Sequence, residues 1–73
     1  MTIETLRNGA TVLKRKKGMS DYLDVILAVT DNNEFVTWIQ NLNDKALGYD
    51  GTFHGGYFGQ DLQKALNDFN DRG

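Results

Sequence analysis

The 73-residue chain has no cysteine, which excludes disulfide staples and thiolate metal sites and fits a reducing, cytoplasmic setting. It has a single histidine, His54, and a single serine, Ser20, far apart along the chain. No nucleophile–histidine–acid set can be assembled from these, so the chain reads as non-enzymatic. Asp50 and Asp61 flank His54 in sequence, but no His-x-x-x-His or Glu-x-x-His spacing accompanies them, and neither a metal nor another cofactor is expected. Long apolar runs are missing as well. The longest strong one, Val25–Val29, is far too short to cross a bilayer, and no charged-then-apolar leader pattern opens the chain. An excess of either charge is lacking too: the formal net charge is −2, which neither attracts nucleic acid overall nor imitates it. The length suits one domain, residues 1–73, burying only about 60% of the surface its unfolded form exposes.

What the chain does have is a clear series of elements. Thr2 is a helix cap, Ile3 and Leu6 share a helical face, and Asn8-Gly9 is a stop, which predicts a short helix over residues 2–8. Ala10–Lys16 has strand composition. In residues 22–30, Leu23, Val25, Leu27 and Val29 alternate with Ile26 and Ala28, as in a central strand covered on both sides. Residues 31–33, DNN, suit a tight turn, and residues 34–41 read as a third strand. There Phe35 and Ile39 compete with Val36 and Trp38 for the inner face. Residues 42–59 show little periodicity. Leu62, Ala65, Leu66 and Phe69 then form one helical stripe, which Phe58 extends backwards. The expected fold is α+β, in the order α-β-β-β-α: a three-stranded antiparallel sheet with the C-terminal helix packed on one face. That order resembles double-stranded RNA-binding domains, which grip phosphates with a basic run at the start of the last helix. Here Lys64 stands alone between Asp61 and Asp68, so the site that would carry that function is missing.

Two segments are candidate sites. Lys14, Arg15, Lys16 and Lys17 form the only basic cluster. It reads either as a phosphate contact or as an edge strand kept unpaired by lysines, and alternation sends the cations to both faces. The second segment, GYDGTFHGGYFGQ at residues 48–60, holds five of the eight glycines together with Tyr49, Phe53, Tyr57 and Phe58. It lacks the Lys-Ser/Thr of a phosphate loop. It reads either as a turn-rich segment presenting rings to a partner or, over residues 52–59, as a short edge strand. The candidate partner-binding residues are Tyr49, Asp50, Phe53, His54, Tyr57 and Asp61.

The sequence NNEFVTWIQN, followed by GGYFGQDL and KALNDFNDR, resembles a pattern in small proteins encoded by bacterial phages and mobile elements, across residues 34–72. The resemblance brings no catalytic residue with it. It implies a protein-binding module whose partner is a host or phage protein, and one form such modules take is an inhibitor of a host defence nuclease, as anti-CRISPR proteins are. The alternative is a small nucleic-acid-binding domain using Lys14 to Lys17. No membrane partner is expected, and either a monomer or a homodimer is compatible with the sequence.

Overall fold

Three alternating stretches become the middle of one antiparallel sheet. The computed structural model describes residues 4–72. The strands are β1 (Glu4–Thr5), β2 (Thr11–Lys17), β3 (Leu23–Val29), β4 (Phe35–Asn41) and β5 (Thr52–Tyr57), with helix α1 (Leu42–Ala46) before β5 and helix α2 (Leu62–Asp71) after it. Sheet order follows chain order, β1-β2-β3-β4-β5. Among the described residues no helix is long and apolar enough to cross a membrane.

The alternation of β3 and β4 is used on both faces. Val25 and Leu27 point to one side, where Ala65 and Phe69 of α2 cover them and Phe35, Phe58 and Leu66 pack around. Ile26, Ala28, Val36 and Trp38 point to the other side, where Leu6 and Ala10 of the β1–β2 turn fold over them. Of the two apolar sets of β4, Val36 and Trp38 are buried, while Phe35 and Ile39 on the α2 side are half-buried. Withdrawing the Phe69 side chain from water contributes roughly 1.5–3 kcal/mol. Asp61 caps α2 by accepting from the Lys64 backbone N–H at 3.0 Å.

The expected three-stranded sheet is therefore corrected to five strands and two helices. Glu4–Thr5 is extended rather than helical and pairs with Thr11–Val12. Thr2 and Ile3, on which the expected first helix rests, lie outside the described residues, as does Gly73. Asn8-Gly9 is the tip of a hairpin instead of a helix stop: Leu6 N–H donates to Ala10 O at 2.7 Å, and Gly9 has φ +93°. Residues 52–57 form the fifth strand, paired with β4. The weakly periodic residues 42–46 form α1, whose cap is Asn41, its side chain accepting from the Asn43 and Asp44 N–H groups. Phe58 joins the α2 core without being helical, because Gly59, at φ +56°, turns the chain before the helix begins.

Two bulges decide which side chains share a face. At Leu13 the register shifts, so Val12 lies opposite Ala28 while Lys14 lies opposite Leu27. At His54-Gly55 the same happens in β5: Phe53 lies opposite Ile39 on the α2 side, and Tyr57 lies opposite Val36 on the other side. Without that bulge Phe53 and Tyr57, four residues apart, would share one face.

Candidate functional site

On the side of the sheet away from α2, Leu6 and Ala10 of the β1–β2 turn pack over the apolar residues of β3 and β4. Trp38 lies nearly buried there, 7% exposed, under Leu6 of the β1–β2 turn. Tyr57 stands beside it edge-on, centroids 6.5 Å apart and planes at 83°, yet is 70% exposed. Ring quadrupoles favour such T-shaped contacts by about 0.5–1.5 kcal/mol beyond the area buried.

The paired glycines make this arrangement possible. A Cβ on residue 55 would lie 2.8 Å from both Trp38 Nε1 and the Tyr57 hydroxyl oxygen. A Cβ on residue 56 would lie 2.9 Å from Thr37 Oγ1 and 3.0 Å from the Phe58 ring, on the α2 side. Gly55 and Gly56 thus let aromatic rings close on β5 from both faces, which is why glycine and rings crowd together in this stretch.

Trp38, Tyr57 and Val36 floor an open groove of about 260 Å³, rimmed by Asn8 from the β1–β2 turn and by Asp31 and Glu34 from the β3–β4 turn. Its lining includes two carboxylates and no lysine or arginine. Among the described residues, the carboxylates in ion pairs are Glu4, Asp24 and Asp68, so Asp31 and Glu34 carry their charge without an internal partner.

At the other end of the same side lies a polar network. Arg15 donates to Asp24 Oδ2 at 2.8 Å, Gln40 Oε1 at 2.8 Å and Glu4 Oε1 at 2.7 Å. Lys45 of α1 pairs with the second oxygen of Glu4 at 2.8 Å. The Lys45 hydrogen bond, assisted by Arg15, holds the Glu4 carboxyl below its usual range. A second groove of about 230 Å³ opens beside this network, where Tyr49 and Asp50 meet Arg7, Gln40 and Lys45.

The candidate partner-binding residues do not form one surface. Asp50 is occupied structurally, since its Oδ1 accepts the Arg7 backbone N–H at 2.8 Å and its carbonyl accepts from Gln40 at 2.8 Å. Tyr49 is exposed in the second groove. Phe53 lies on the α2 side and is only 38% exposed, with the His54 ring 5.0 Å away. His54 makes the bulge, at φ +53°, and its carbonyl accepts from Arg72 at 2.7 Å. Asp61 serves as the α2 cap. Of the six, Tyr57 alone lines the aromatic groove.

The basic cluster is dispersed. Lys14 and Lys16 lie over the Phe69 ring, 5.9 and 5.1 Å from its centroid, and Lys16 also donates to Asn70 O at 3.1 Å. Arg15 turns to the opposite face, and Lys17 donates to Asp21 O at 2.9 Å. Among the described residues β1 pairs with β2 along Thr11–Val12 alone, and no strand lies beyond Lys14–Lys17 on that side of the sheet. Asn8, Asp31 and Glu34 were not candidates for a site in the sequence, because they gain a shared surface only when the topology brings their segments together around Tyr57. The chain matches no family model, no curated protein and no solved structure.

Proposed function

We propose that the chain is a non-enzymatic protein-binding module and that its contact surface is the Trp38–Tyr57 groove. The observation that carries this reading is the exposed Tyr57 ring, set in T-shaped contact beside a nearly buried tryptophan. Interfaces take most of their energy from a few such anchors, and a ring already held in place loses little freedom on docking. The resemblance across residues 34–72 supports a narrower form of the same proposal: a phage or mobile-element protein that docks on host machinery, such as an inhibitor of a defence nuclease. The nucleic-acid alternative finds little support, since Lys14, Arg15, Lys16 and Lys17 are turned to two faces and each holds an internal contact.

The test is affinity capture from bacterial lysate with the tagged chain, with and without nuclease treatment, read by mass spectrometry, beside Tyr57→Ala. A protein retained after nuclease and lost from Tyr57→Ala is the expected result. Recovery of nucleic acid, with proteins lost after nuclease, overturns the reading. So does equal capture by wild type and a folded Tyr57→Ala.

A further inference from the structure

We infer that the Trp38–Tyr57 groove receives an arginine side chain from a basic segment of its protein partner. The inference rests on the proposed docking role of that groove and specifies the chemistry of what docks. Three observations lead to it. The Tyr57 ring is open to solvent at the groove floor, and a ring face attracts a cation through its quadrupole. Asp31 and Glu34 stand on the rim without an internal cation, so an incoming positive charge meets two carboxylates that need not abandon a partner. No lysine or arginine lines the groove, so nothing there opposes that charge.

Charge complementarity therefore selects a cationic occupant over an acidic or phosphate-bearing one. Shape selects arginine over lysine. A planar guanidinium can lie against the phenol ring while its fork reaches a carboxylate, whereas an ammonium offers a compact charge with no plane to stack. Asp31 stands beside the hairpin tip, where a Cβ on Gly9 would lie 3.5 Å from its Oδ2, and it lines the groove.

Trp38 is the only tryptophan, so its fluorescence reports from this groove. The probe is a hexa-arginine peptide, with hexa-lysine and hexa-glutamate for comparison. Saturable perturbation of Trp38 emission by the arginine peptide is expected, with weaker binding of the lysine peptide and none of the glutamate peptide. Asp31→Asn combined with Glu34→Gln is expected to weaken arginine-peptide binding by about tenfold, equivalent to roughly 1.4 kcal/mol. The same charge removed elsewhere, by Asp21→Asn with Asp71→Asn, should leave binding as in wild type. No response to the arginine peptide, an equal response to hexa-glutamate, or equal losses in the two charge variants would each overturn the inference. The two proposals fail separately. If Tyr57→Ala abolishes capture of the cellular partner while the Asp31/Glu34 variant captures it normally, the docking surface stands and the arginine assignment falls.

Discussion

Replacing Arg15 with methionine tests whether the polar network is an interior structure or a surface decoration. The change keeps most of the side-chain length and removes all three donated hydrogen bonds. Gln40 is 0% exposed, so its Oε1 would be left without its Arg15 donor, a loss that costs about 1–3 kcal/mol. Asp24, 9% exposed, would lose its countercharge, and breaking a buried pair costs about 3–5 kcal/mol. The Arg15 side chain is itself about a quarter exposed, so water reaches part of the network and the second figure must be discounted. Glu4 keeps Lys45. The net expectation is a loss of about 3 kcal/mol. A domain of this length holds only about 4–11 kcal/mol in all. The thermal midpoint should fall by about 12–24 °C, at roughly 4–8 °C per kcal/mol for a chain this small. Urea denaturation and thermal circular dichroism measure both. Adding Asp24→Leu to Arg15→Met should restore about 1 kcal/mol or more, because an apolar group replaces an orphaned charge. A loss under about 0.5 kcal/mol for Arg15→Met, the scale of an exposed ion pair, would refute the reasoning.

Gly51 has φ +69°, and a Cβ there would lie 2.5 Å from Asn41 O, whereas Gly59, at φ +56°, has nothing within 4 Å. Gly51→Ala should therefore cost clearly more than Gly59→Ala, for which the backbone alone costs about 1–3 kcal/mol; equal losses in urea denaturation would show that the contact with Asn41 is unimportant. Asp61→Ala removes the α2 cap and should cost about 1 kcal/mol, measured the same way, with no loss counting against the cap. Acid should destabilise the fold. Burial pushes the Asp68 carboxyl up, but hydrogen bonds from Thr37 and Arg72 outweigh it, so Asp68, like Glu4, lies below its usual range. A lowered folded value gives stability that is present above the unfolded carboxyl range, about pH 4, and is lost as pH falls through the folded values. The thermal midpoint should accordingly decline below about pH 4, and Glu4→Gln with Asp68→Asn should flatten that decline.

The strands β3 and β4 and the helix α2 were legible because each keeps one period over seven residues or more, whereas β2, bulged at Leu13, was legible from its composition. β1 was not expected and β5 was only one of two readings of its segment, and they lack that signal for different reasons. β1 has two described residues, too few to show alternation, and the Ile3–Leu6 spacing mimics a helical face. In β5 the His54-Gly55 bulge changes parity halfway, so Phe53 and Tyr57 look like one face and occupy two. Its glycines read as a loop because their purpose is clearance, which becomes visible only once Trp38 and Phe58 lie against them. The candidate site was half legible for a related reason. Tyr57 stands out by type, while Asp31 and Glu34 gain meaning only from a turn more than twenty residues away along the chain.

The strand order β1-β2-β3-β4-β5 bears on how the molecule comes into being. Every strand pairs with its neighbour in the chain, so the sheet can grow hairpin by hairpin during synthesis, with no long loop to close first. Only α2 must wait, and until it docks, Val25, Leu27 and Phe35 face water as an apolar strip. Because α2 follows every strand it covers, a chain cut before Leu62 would keep all five strands and expose this strip as an adhesive surface.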